Sequence, residues 1–273
     1  MMSYYYKKIR KYLWRPVAVA KSPLRAFRPG NIVMFHIGRC GSTVLGNLLN
    51  QHPNVFWDGE IYEKFKVKSS GLNAIKGDPI GLLKSRMNLA GRRFYGFEIK
   101  FLQQQHLDLI HFELDGFIDQ LLQLGYLNFI ILERRNYLKR NVSHVIGQTT
   151  KKYHQPEQDK AQLTRVEIDV NKLTIGSGTK TLIEWLYEFR SEYLHLQKLL
   201  EEKNCLYLTY ENDILSNPRA GYHRICNFLN IQPVKVDLKN SKTNPFEPVQ
   251  VVINYNEVKD RLSGTPFEWM TSQ

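Results

Sequence analysis

Residues 35–53 read FHIGRCGSTVLGNLLNQHP, and this stretch limits what the chain can become. An apolar run over 31–37 stops at Gly38. A polar clutch of Arg39, Cys40, Gly41, Ser42 and Thr43 follows, and an apolar pattern at helical spacing begins at once. A strand feeding a helix through a tight glycine turn is the first half of a crossover connection, and crossovers join parallel strands. The turn then falls at the carboxyl end of a strand, where open parallel sheets gather their ligands. Glycines let a backbone approach a ligand closely. Ser42 and Thr43 fall at a helix N-terminus, whose free N–H groups and dipole favour an anion. Arg39 adds a permanent charge and a fork of donors. These parts fit an anion cradle; they also fit a plain strand-to-helix turn with a hydroxyl cap.

The rest of the chain repeats the alternation. Strand-like runs, β-branched or aromatic, lie at 31–37, 93–101, 127–134 and 205–211, with a short one near 52–60. Helical patterns lie at 43–50, 114–124, 137–146, 181–203, 218–229 and 255–262. Strand and helix in turn imply an α/β fold with a parallel sheet flanked by helices. The polar stretch 149–180 reads as an insertion or lid. At 273 residues the chain suits one large domain, set here at 29–273 behind a basic N-terminal tail over 1–28.

Charge sharpens that boundary. The formal net charge is +12, and residues 1–28 hold Lys7, Lys8, Arg10, Lys11, Arg15, Lys21, Arg25 and Arg28 with no acid. Such a segment, carrying Tyr4, Tyr5, Tyr6, Leu13 and Trp14, is either a solvated basic arm or a peripheral contact with an anionic membrane surface. No run approaches the roughly 18 apolar residues of a spanning helix, and the first residues have no apolar core of a secretory signal. Three cysteines, Cys40, Cys205 and Cys226, form no paired framework. A reducing, cytoplasmic setting fits them. The eight histidines show no metal-ligand spacing, so no metal site is expected.

A second cationic strand end narrows the ligand. The run LNFIIL passes into Glu133-Arg134-Arg135-Asn136, and Ser143 follows eight residues after Arg135. Two anion sites at neighbouring strand ends suit a ligand with two separated phosphates. Arg134, Lys139 and Arg140 read as surface charges on an amphipathic helix. The first loop is not the triphosphate loop GxxxxGK[ST], because no lysine follows Gly41 and the glycine spacing is too short. No acidic magnesium partner is evident at the end of FIILERR either, which disfavours a small-molecule kinase.

The pair of motifs resembles the sulfotransferases that use 3′-phosphoadenosine 5′-phosphosulfate. Arg39-Cys40-Gly41-Ser42-Thr43 is similar to their 5′-phosphosulfate loop, and Arg135 with Ser143 is similar to their 3′-phosphate pair. The segments LYLTYENDILSNPRAGYHRICNFLNI (206–231) and KTNPFEPVQVVINYNEVKDRLSGTPFEWM (242–270) resemble the family's later motifs. Tyr137 and Leu138 depart from it, standing where Pro or Asp is usual. The resemblance runs from about residue 31 to the end and leans toward carbohydrate and bacterial members.

It implies a nucleotide-hydrolase-like three-layer sandwich and transfer of a sulfuryl group to a hydroxyl acceptor, carbohydrate or glycolipid, without a metal. By the same resemblance Arg39 stabilises the leaving oxygen, and Arg39, Cys40, Gly41, Ser42, Thr43, Arg135 and Ser143 hold the donor. Glu60 best matches the base; His36, inside the first strand, is a weaker candidate. Nucleic acid is not an expected partner. The rivals are a kinase-like enzyme and a basic nucleic-acid or membrane-surface binding module.

Overall fold

The computed structural model describes residues 15–65, 77–151, 155–156, 163–241 and 245–272. Its main sheet is built from β1 (Asn31–His36), β2 (Val55–Trp57), β3 (Phe94–Lys100), β4 (Tyr126–Glu133) and, beyond a hairpin of β5 (Leu173–Ile175) and β6 (Gly178–Lys180), β7 (Cys205–Thr209). The strand order is β2-β3-β1-β4-β7, and every neighbouring pair is parallel. Parallel strands are covered on both faces and therefore read as continuous apolar runs. That is why β1 can be NIVMFH with all six residues buried.

The longer helices are α1 (Ser42–Leu49), α2 (Pro79–Met87), α3 (Leu114–Gln123), α4 (Tyr137–Thr150), α5 (Leu182–Leu199), α6 (Pro218–Phe228) and α7 (Tyr255–Leu262). Local chemistry fixes their starts. The Asn136 side chain caps α4 by accepting from the Lys139 N–H, Thr181 and Glu184 form a reciprocal capping box on α5, and Asn217 caps α6 ahead of Pro218. Helices flank the sheet, with α1 packed on α6 and α4 on α5. The fold is thus the α/β arrangement that the alternating pattern implies.

Because the strands run one way, their carboxyl ends share an edge. Gly38, Lys100, Arg134 and Tyr210 all arrive there from β1, β3, β4 and β7. The opposite edge carries the end of the basic segment. Residues 15–21 are helical and Ser22–Phe27 form a 3-10 turn; Ala18 is buried, and Lys21 Nζ donates to the Leu89 carbonyl at 3.4 Å. Those residues, read from sequence as part of a tail, are packed on the sheet domain, while residues 1–14 lie outside the described residues. Among the described residues no helix is long and apolar enough to cross a membrane.

Candidate functional site

A cleft of about 1620 Å³ opens at the shared strand edge, with Gly38, Arg39, Gly41, Ser42 and Thr43 on its floor. The loop reaches this shape through left-handed backbone at Gly38 (φ 80°), Arg39 (φ 59°) and Gly41 (φ 87°). Gly41 is needed twice over. Its φ disfavours any side chain, and a Cβ there would stand 2.8 Å from Ile214 Cδ1. An L-residue such as Arg39 in this region costs about 1–2 kcal/mol, so the surrounding contacts must hold it.

Those contacts reach the loop from beneath. Arg140 donates from Nη2 to the Ile37 carbonyl at 2.7 Å and from Nε to the Gly38 carbonyl at 3.3 Å. Arg134 Nη1 donates to the Arg39 carbonyl at 3.3 Å, and its guanidinium lies over the Tyr210 ring at 4.5 Å. The Gly38 N–H donates to His36 Nδ1 at 3.0 Å. With three successive carbonyls engaged by guanidinium groups, the N–H groups at the start of α1 are left for a ligand in the cleft, as in an anion-binding nest. Cys40 contributes only backbone: its side chain is fully buried, and burial pushes the thiol pKa up.

The predicted site residues meet in part. Arg39 Nε donates to Ser143 Oγ at 2.9 Å, so two motifs 104 residues apart share one wall of the cleft. Arg135 does not join them. Its guanidinium is exposed, donates to Asn212 Oδ1 at 3.1 Å and is not part of the cleft lining. Of the pair expected at a second phosphate, the structure thus places Ser143 in the cleft lining and Arg135 outside it. Residues 134 and 135 lie in the turn after β4 and diverge there. It is Arg134 that faces the loop. The reading of Arg134 and Arg140 as surface charges is also corrected, since Arg140 is 1% exposed and both touch the loop. Lys139 does face outward, where its Nζ lies 2.6 Å from Glu247 Oε2.

Glu60 lies in the cleft wall, 2.6 Å from Lys100 Nζ. Lys100 also contacts Glu63 at 2.7 Å, and His106 Nε2 lies 3.3 Å from Glu63. Burial alone would lower the Lys100 pKa, but the carboxylates of Glu60 and Glu63 override it and hold the ammonium above its usual value. The Lys100 stem passes 3.4 Å from the point where a Cβ on Gly38 would sit, so this lysine links the loop to the acidic pair. His36 packs below. Its Nε2 lies 3.2 Å from Glu98 Oε2, a close contact without hydrogen-bond alignment. Burial would raise the Glu98 pKa, yet His36, Ser42 and Trp57 together hold it below the ordinary carboxylate value.

Sequence reasoning missed Lys100 and Arg140. Lys100 ends the strand GFEIK and obeys the same strand-end rule that singled out Arg39. Arg140 sits three residues before Ser143 on α4 and so shares its face.

No protein-family model matches the chain, and no curated protein matches it. Among solved structures it is similar to a sulfotransferase from Alicyclobacillus acidocaldarius, at 12% identity over 89% of this chain and 94% of that one, with a TM-score of 0.45.

Proposed function

We propose that this chain is a sulfotransferase that moves a sulfuryl group from 3′-phosphoadenosine 5′-phosphosulfate to an acceptor hydroxyl, carbohydrate or glycolipid, by in-line displacement. The observation that carries this reading is the Arg39–Ser143 contact. It joins the loop suited to a phosphosulfate and the helix suited to a second phosphate within one cleft. The cleft volume supports it too: about 1620 Å³ exceeds the roughly 300–1,000 Å³ of a single-ligand pocket and leaves room for donor and acceptor together.

In this reaction the acceptor oxygen attacks sulfur as the bond from sulfur to the bridging oxygen breaks. The electron pair stays on that oxygen, which leaves with 3′,5′-adenosine bisphosphate. Arg39 and the N–H groups of Gly41, Ser42 and Thr43 are assigned to the growing negative charge, because preformed donors aimed at such charge lower the barrier most. Glu60 is assigned to take the acceptor proton, with Lys100 holding its carboxylate in place. Ser143 and the guanidinium of Arg134, both in the cleft lining, are assigned to the 3′-phosphate. A cytoplasmic enzyme whose basic N-terminal segment rests on an anionic membrane surface suits the charge distribution.

A kinase reading draws on one specific contact. Glu98 lies beside Ser42 at the end of the neighbouring strand, where a magnesium ligand would be wanted. His36 and Trp57 already engage that carboxylate. Titration calorimetry separates the readings: heat with 3′,5′-adenosine bisphosphate but none with magnesium ATP supports the sulfotransferase. The absence of both heat and thermal stabilisation with saturating bisphosphate rejects it.

A further inference from the structure

Arg140 projects from the first turn of α4 and is almost wholly buried. Its partners are all neutral: the carbonyls of Ile37 and Gly38, the side-chain oxygen of Asn141 at 3.0 Å, and the Phe189 ring 5.1 Å from the guanidinium carbon. Among the described residues no carboxylate lies within ion-pair distance of it. Burial pulls its pKa down to about 10, with Arg39 and Arg134 adding to the effect, so it stays charged at neutral pH. A buried cation without a counter-ion is costly to the folded state. Yet Arg140 also lines the cleft, directly under the loop.

We infer that Arg140 is the positioning residue of the loop: it draws the carbonyls of Ile37 and Gly38 inward, turns the N–H groups toward the cleft, and takes its counter-ion from the bound oxyanion. The inference rests on reading the loop as the donor site, but it concerns the anion alone. It makes the empty protein carry an unbalanced charge that the ligand neutralises. Ligand-induced stabilisation therefore depends on Arg140, whereas in the empty fold its hydrogen bonds to the two carbonyls are offset by the cost of its unbalanced charge.

The test compares Arg140→Met and Arg140→Lys with the parent chain, using 3′,5′-adenosine bisphosphate and inorganic pyrophosphate as probes in thermal unfolding and calorimetry. Arg140→Met is expected to leave the empty unfolding temperature equal or higher and to weaken bisphosphate binding by about 30-fold or more. Arg140→Lys keeps the charge but lacks the fork that spans two carbonyls. It is expected to bind about 10-fold more weakly than the parent at an unchanged empty unfolding temperature, and at saturating donor its loss in kcat is smaller than its rise in KM.

Unchanged bisphosphate affinity in either variant overturns the inference. So does a lower empty unfolding temperature in Arg140→Met with affinity intact, which marks a purely structural role. If Arg140→Met does not fold, Arg140→Lys alone decides. Should pyrophosphate but not the bisphosphate stabilise the parent, and Arg140→Lys lose that effect, the sulfotransferase reading fails and this inference stands. Stabilisation of the parent by neither anion overturns both.

Discussion

Lys100 Nζ lies 2.6 Å from Glu60 Oε2 and 2.7 Å from Glu63 Oε1 at the end of β3, so one ammonium spans two carboxylates in the cleft wall. The ammonium holds the Glu60 carboxylate in a fixed position in the cleft wall. In the proposed reaction Glu60→Gln should lower kcat by about 10²-fold or more, the usual size of a general-base contribution. It should leave bisphosphate affinity within about 2-fold. Full activity of the variant across pH would remove Glu60 from the mechanism.

The two adjacent arginines after β4 offer a sharper contrast. Arg134 holds the Arg39 carbonyl and stacks on Tyr210, whereas Arg135 reaches Asn212 outside the cleft lining. Calorimetry on Arg134→Ala should find bisphosphate binding weakened by about 10-fold or more, as expected for a charge-assisted contact of roughly 1.5–3 kcal/mol. Arg135→Ala should change it by less than about 3-fold. The reverse order would mean that Arg135 swings into the cleft on binding.

That contrast also marks where the sequence stops being informative. The sheet was legible because buried parallel strands need apolar, β-branched and aromatic residues, and β1, β3, β4 and β7 are rich in them. The loop was legible because glycines, hydroxyls and a cation rarely share a strand end for other reasons. Side-chain direction was not. Arg134 and Arg135 are chemically identical, and only the backbone of the turn after β4 decides which one faces Gly38. Arg140 was hidden differently. A charge on a helix is ordinarily solvated, but α4 is buried on most of its faces, so the arginine has to find backbone carbonyls instead. Lys100 was readable in principle, since it ends a strand as Arg39 begins a loop, but its pairing with Glu60 and Glu63 needs two segments distant in sequence to converge.

His144, the residue after Ser143, gives a pH prediction. Its Nε2 donates to the Thr174 carbonyl at 3.2 Å, which fixes the neutral tautomer. Burial, with Arg140 next and Arg39 and Lys100 contributing, pushes its pKa down to about 3. In the unfolded chain the imidazole titrates near its ordinary value of about 6.5. As pH falls below that value the unfolded state binds a proton that the folded state refuses. The stabilisation is complete above about pH 6.5 and is lost toward pH 3, with a slope of about 1.4 kcal/mol per pH unit for one proton. Urea unfolding at about pH 6.5 and 5.5 should show that loss, and His144→Gln should reduce the difference by about 1 kcal/mol. Identical pH slopes for the two proteins would count against the buried neutral imidazole.

The hairpin of β5 and β6 ties that helix to the opposite wall. On one side Thr174 accepts from His144; on the other the Ser177 N–H donates to the Gln104 carbonyl at 2.8 Å, and the Ser177 hydroxyl donates to Asp108 Oδ2 at 2.9 Å. Gly176 sits between these anchors at φ 63°, and a Cβ there would fall 1.8 Å from the Gln104 carbonyl oxygen. That contact is backbone, so a side chain cannot be accommodated by a rotamer change. Gly176→Ala should therefore push the hairpin off Gln104, at a cost of about 1–2 kcal/mol for the left-handed backbone alone. Hydrogen exchange at the Ser177 amide should rise by about 10-fold or more. Unaltered protection at Ser177 would show that the hairpin tip is not held by this contact, and that the wall of the cleft between Gln104 and His144 is closed by something else.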